Sequence, residues 1–171
     1  DWYLAANLKN QNSLNPHLLS NLKTEGVLNK LKNTVFTFEY NDLKAFENLI
    51  KNKNIGCVIM EVSRNYIPSK EFLSKIRDLT KKNKIVLIFD ECSSGFREVY
   101  GGLHLKYKIN PDICMFGKAL GNGYAITAII GKGFVMKHAK DSFISSTFWS
   151  ERSGYTAALK TLEIMNKIKS W

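Results

Sequence analysis

Cysteine, histidine, proline and arginine are all scarce in this 171-residue chain, and each shortage excludes something. The three cysteines, Cys57, Cys92 and Cys114, are odd in number, far apart and never in C-x-x-C spacing. A disulfide-stapled domain and a thiolate metal site do not fit that pattern. Each borders an apolar run, so all three are expected as small buried hydrophobes in a reducing compartment, which points to the cytoplasm. His17, His104 and His138 are equally dispersed, and no metal constellation follows from their spacing. Three prolines and eleven glycines exclude collagen-like and low-complexity classes. No apolar run approaches the roughly eighteen residues of a membrane span, so no membrane role is expected. The chain opens on Asp1-Trp2-Tyr3 without an initiator Met or a leader pattern, so a preceding segment is expected and a signal peptide is not.

Acidic residues are also in deficit. Against 25 Lys+Arg stand 15 Asp+Glu, a net charge of +10 that invites a nucleic-acid reading. Only Arg64, Arg77, Arg97 and Arg152 carry the forked guanidinium that reads base edges. The lysines are scattered, often beside Asn, as in Lys51-Asn52-Lys53-Asn54, with no basic arm and no interleaved aromatics. A Lys/Asn-rich solvated surface is the better reading, and a basic nucleic-acid-binding domain is the rival one.

What is present is ordinary globular chemistry, 44% hydrophobic and 23% charged, with enough chain to bury a core. The first thirty residues read as loop, with Asn15-Pro16 as a turn and a short helix around Leu18 to Leu22. Thr34 to Glu39 alternates as a strand does. Asn41 or Asp42 caps a helix bearing Leu43, Phe46, Leu49 and Ile50 on one face. Ile55 to Met60 is apolar throughout, as a strand covered on both faces would be. Ser69 caps a helix whose stripe is Phe72, Leu73, Ile76 and Leu79. Further buried strands are expected at Lys84 to Phe89, Ile113 to Phe116 and Ala125 to Ile130. A short helix is expected through Leu103 to Tyr107, with Asn110-Pro111-Asp112 as a turn. A last helix runs from about Ser153 to Lys169, its apolar residues read as core. Strands alternating with helices argue an α/β fold with a mainly parallel sheet and flanking helices.

Two residues stand where such a sheet does chemistry. Asp90 follows five apolar residues, so its carboxylate emerges at the carboxyl end of a buried strand, where open α/β sheets bind ligands. A half-dry carboxylate there needs a cationic or hydrogen-bonding partner, or it simply caps the following turn. Lys118 follows the run Ile113 to Phe116 through a glycine. It is either a solvated strand-end lysine or a partly desolvated amine made more nucleophilic. Gly121-x-Gly123 after it is only a weak match to a phosphate loop. Together, a strand-end Asp and a strand-edge Lys suit a pyridoxal phosphate site, where the amine forms a Schiff base and the carboxylate keeps the pyridine nitrogen protonated.

The stretch Leu87-Ile88-Phe89-Asp90-Glu91-Cys92-Ser93-Ser94-Gly95-Phe96-Arg97 resembles the D-E-V-x-T-G-F-R segment of class III aminotransferases and glutamate-1-semialdehyde aminomutases. Pro111-Asp112 through Gly117-Lys118-Ala119-Leu120-Gly121-Asn122-Gly123-Tyr124 resembles their P-D…K-A-L-G-G-G-Y/F segment. Asp1-Trp2-Tyr3 resembles the stretch after their G-Y-H-G motif. Phe143-Ile144-Ser145-Ser146-Thr147 stands where they place a Thr reaching a neighbouring subunit's cofactor. This resemblance implies a fold type I pyridoxal phosphate enzyme with a small-molecule amino or carbonyl substrate. It implies Lys118 as Schiff-base lysine and proton carrier, and Asp90 on the pyridinium nitrogen. Cys92 would lie against the ring, Ser93 near its phenolic oxygen, and Thr147 on the phosphate across a homodimer interface. Glu61, at a strand end resembling V-x-x-E-P-V, is expected to be structural. The family is longer at both ends, so residues 1–171 are expected to form a partial large domain without the N-terminal segment and the C-terminal small domain. A catalytically inactive remnant of that fold is the remaining alternative.

Overall fold

The computed structural model describes residues 28–31, 33–63 and 65–171. The Asn15-Pro16 turn, the helix near Leu18, Asp1 to Tyr3 and Arg64 lie outside the described residues. The chain divides into two compact units, Asp1–Lys53 and Asn54–Trp171.

In the first unit, helix α1 (Leu43–Asn52) starts where its cap is: the Ala45 amide donates to Asp42 Oδ1 at 2.9 Å. Phe46 is its buried residue and packs on Phe38 with ring centroids 5.0 Å apart. Burial alternates only over residues 36–40, and residues 34–39 form no strand. Alternation marks a half-buried surface, whereas a strand also needs a ladder partner, and none is supplied by the described residues.

The second unit holds a sheet of four strands in the order β1 (Cys57–Glu61), β2 (Val86–Asp90), β3 (Ile113–Phe116), β4 (Ala128–Gly131). β1, β2 and β3 are parallel and β4 is antiparallel to β3, the mainly parallel sheet the sequence implies. Helix α2 (Lys70–Lys82) begins at Ser69, whose Oγ accepts from the Phe72 amide at 3.0 Å, and packs on β2. Its Leu73 and Ile76 are fully buried, as are Leu87 and Phe89 of β2. Each such side chain stabilises the fold by about 1.5–3 kcal/mol relative to exposure. Two one-turn helices, α3 (His104–Tyr107) and α4 (Gly133–Met136), and the long α5 (Arg152–Ile168) complete it. No helix among the described residues is long and apolar enough to cross a membrane.

Among the described residues, one face of the sheet is buried and the other is only partly covered. Val58, Met60, Leu87, Phe89, Cys114 and Phe116 point into the core, while Ile59 is 45% exposed on the other side. Cys57 shares that open side and is exposed, not buried as its apolar neighbours suggested. β4 begins at Ala128 rather than Ala125 and is mostly exposed, because it is an edge strand beside the open face. Of the apolar residues on α5, only Ala158 is buried, beside Gly154; Leu159 and Ile168 face outward. Apolar runs report what can be buried; which face is covered depends on distant chain.

Candidate active site

Strand pairing brings the carboxyl ends of β1 and β2 level, with Glu61 opposite Asp90 and Asp90 opposite Met115 of β3. Side chains alternate along a strand, so Glu61, Asp90 and Met115 share the open face, and Glu91 turns into the core. The chain then enters a tight loop. Gly95 is required there, since a Cβ would approach the Glu91 carbonyl oxygen and the Phe116 ring to 2.7 Å.

Asp90 is half-buried, and its Oδ1 accepts from the Cys92 amide at 2.9 Å. It therefore caps its own turn, the structural half of the sequence reading, while its face remains on the open side. Cys92 is half-buried with its sulfur beside Gly117. Burial first, then the hydrogen bond and charge of Asp90, push its thiol pKa up, while Lys118 pulls it down. Asp90, Cys92 and Lys118 thus occupy one electrostatic neighbourhood.

Lys118 follows β3 through Gly117 and opens a 3₁₀ turn, Lys118–Leu120. Its backbone is left-handed, φ 35°, an uncommon state for a side-chain-bearing residue that costs on the order of 1–3 kcal/mol. The side chain is exposed, and Nζ donates to Ser93 Oγ at 2.8 Å. Ser93 in turn accepts Arg97 Nε on its carbonyl at 2.6 Å, so the loop after β2 and the turn after β3 are tied together at the lysine. The glycines behind Lys118 form no phosphate cradle. The amides of Leu120, Gly121, Asn122 and Tyr124 are spent on Gly117, Lys118, Lys118 and Gly121 carbonyls. Gly121 is needed because a Cβ would overlap the Tyr124 carbonyl oxygen.

The structure thus gathers Asp90, Cys92, Ser93 and Lys118 at the carboxyl end of the parallel strands. Thr147 lies in an exposed turn at residues 147–150.

Sequence reasoning missed Glu91. It is fully buried, and its carboxylate accepts from the Leu103 and His104 amides, each at 2.9 Å, from His104 Nδ1 at 2.8 Å and from the Ser94 hydroxyl. Burial would raise its pKa, but these hydrogen bonds outweigh it and hold the carboxyl below its usual range. Glu91 anchors both ends of the loop that carries Cys92 and Ser93. The available signal was alternation: a residue after Asp90 must face the core. Asp112, read only as a turn residue, is a second buried carboxylate. It accepts from Arg77 Nη1 and Lys132 Nζ at 2.9 Å each and from the Leu87 amide at 3.0 Å.

Comparison with known proteins decides the family. The family model "Aminotransferase class-III" matches residues 4–171. The chain belongs to the class-III aminotransferases. It is 36% identical over 151 residues to the 3-aminobutyryl-CoA aminotransferase of Cloacimonas acidaminovorans, covering 83% of this chain and 36% of that protein. It is 36% identical over 155 residues to the glutamate-1-semialdehyde 2,1-aminomutase of Nitrosopumilus maritimus, covering 86% and 37%. Among solved structures, the PLP internal aldimine form of the Sphingopyxis sp. MTA144 FumI protein matches with TM-score 0.78 at 26% identity, over 83% of this chain and 36% of that one. An omega-transaminase from Sphaerobacter thermophilus matches with TM-score 0.76 at 26% identity, over 83% and 35%. Class-III aminotransferases are pyridoxal phosphate-dependent enzymes. This chain spans a little over a third of the length of the curated relatives it matches.

Proposed function

We propose that residues 1–171 are part of the large cofactor domain of a pyridoxal phosphate-dependent enzyme that moves an amino group between or within small carbonyl and amino substrates, in the manner of glutamate-1-semialdehyde aminomutase. The observation that carries this reading is the convergence of the Lys118 amine and the Asp90 carboxylate on one end of the parallel strands, with Cys92 between their fields. The donor set fits the cofactor: an exposed primary amine for its aldehyde and an ionisable carboxylate for its ring nitrogen.

When bound, pyridoxal phosphate supplies an aldehyde that condenses with amines and a ring that accepts electrons from the substrate carbon. Lys118 would hold it covalently and, once displaced by a substrate amine, take and return the proton at the substrate carbon. Asp90, oriented by the Cys92 amide, would keep the ring nitrogen protonated. Cys92 would present its neutral thiol to the ring, and Ser93, already bonded to Lys118 Nζ, would sit near the phenolic oxygen. Thr147 would donate to the phosphate held by a second copy in a homodimer.

Incubation with pyridoxal phosphate followed by borohydride and peptide mapping tests this. One adduct on Lys118 is expected, absent in Lys118→Ala; modification elsewhere with Lys118 untouched would sink the assignment. Asp90→Asn should keep the adduct yet lose amino-group transfer. A chain that forms no adduct would favour the inactive-remnant reading.

A further inference from the structure

A cleft of about 720 Å³ lies at the opposite end of the sheet, where β2 begins, β3 begins and the antiparallel β4 ends. We propose that this cleft binds a multiply charged phosphate anion, either inorganic polyphosphate or the phosphate chain of a nucleotide.

Charge is the first argument. Five cationic side chains line the cleft against two carboxylates, Asp78 and Asp112. Asp112 is already matched by Arg77 and Lys132. That leaves Lys81, Lys84 and Lys108, none of which has a carboxylate within 4.0 Å among the described residues. Arg77 adds an unsatisfied donor, since its buried Nε finds no acceptor there. Ile85 and Ile109, both buried, give the cleft a low-dielectric wall that focuses the field of these exposed lysines.

Backbone geometry is the second. Lys81 near the end of α2 complements the helix dipole and needs no other role. Lys84 and Lys108 lie beyond their helices and both adopt left-handed backbone, φ 56° and 59°. Asn or Gly takes that conformation more cheaply. Each is fixed by its turn: Ile85 N donates to the Thr80 carbonyl at 2.8 Å, and Ile109 N to the His104 carbonyl at 3.2 Å. Two unrelated turns therefore deliver a lysine to the same concavity at conformational cost.

Several point-like ammonium groups around one concavity suit an anion with several charged oxygens better than a single carboxylate. Phe134, 58% exposed on the same wall, offers a flat apolar surface on which a base could stack, which is what separates the two sources.

Isothermal titration of the full chain in 0.1 M salt, with triphosphate and with ATP, tests the site. Saturable one-to-one binding is expected. Replacing Lys81, Lys84 and Lys108 with Glu should weaken it by at least about tenfold, because the local field reverses. The same charge change at the exposed Lys160, Lys167 and Lys169 of α5 and its C-cap should leave it within about twofold, since that helix packs on the Lys118–Leu120 turn at the other end of the sheet and more distant charges are screened. All six side chains are solvent-facing, and far-UV circular dichroism checks that both triple variants fold. ATP binding tighter than triphosphate, with Phe134→Ala erasing the difference, assigns a nucleotide; equal affinities assign inorganic polyphosphate. Non-saturable binding, equal weakening in the control variant, or displacement of ATP by short duplex DNA would overturn the proposal.

Discussion

Asp90 and Glu91 are adjacent carboxylates with opposite surroundings, and the strand's alternation is the reason. Glu91 accepts four hydrogen bonds in the core, so Glu91→Gln turns an acceptor into an amide whose donors face the Leu103 and His104 amides. Loss of about 2–4 kcal/mol is expected, read by urea denaturation. Lys118 offers a converse test. Its left-handed φ favours glycine, so Lys118→Gly should be more stable than Lys118→Ala by about 1 kcal/mol, although both lose the amine. Equal stability of the two would remove the strain argument. The cysteines form a third series. Cys57 is exposed, Cys92 is raised by burial and by Asp90, and Cys114 is pushed up to about 12 by burial and the nearby Glu91. Since the thiolate reacts, alkylation at neutral pH should proceed in that order, and Asp90→Asn should speed Cys92 labelling. Mass spectrometry of time points reads the order directly.

At the scale of elements, α5 supports the Lys118 end of the sheet without filling much core. Gly154 lets the helix approach the chain before β4, since a Cβ there would stand 3.0 Å from the Ala125 carbonyl oxygen. The helix also packs on the Lys118–Leu120 turn. Gly154→Leu should therefore cost about 1–3 kcal/mol and lower the yield of the borohydride-fixed adduct on Lys118. An unchanged yield would mean that the turn is set locally. Elements with self-contained signals were legible in the sequence: the Ser69 and Asp42 caps, the α2 stripe and the β2 and β3 runs each carry their cause within a few residues. Residues 34–39 were misread because their alternation is local while a ladder partner is not. Cys57 and β4 were misread because an apolar run does not say which face is covered. The Asp90 and Lys118 positions were legible because one ends β2 and the other follows β3 through a glycine; Glu91 and Asp112 were not, because their partners come from distant chain.

For the whole molecule, two buried carboxylates tie the sheet together at its two ends. Glu91 and Asp112 are both depressed below their unfolded values near 4, so their contribution is complete above that pH and is lost as pH falls through the lower folded values. Cooperative unfolding on acidification below about pH 4 is expected, weaker in an Asp112→Asn variant that has already lost part of it. The outer surface is unusual in the other direction. Phe143 is 99% exposed, Phe148 74% and Trp149 60%, all within the segment that carries Thr147. Contiguous apolar exposure of this kind marks association surfaces. If that segment serves a second copy's cofactor, two effects separate by mutation. Phe148→Asp with Trp149→Asp should convert a sedimenting dimer to monomer and reduce the Lys118 adduct together. Thr147→Val should leave the dimer intact and weaken cofactor retention alone. A wild-type chain that stays monomeric at high concentration yet forms the full adduct would remove the shared-site reading, leaving Lys118 and Asp90 to act within one copy.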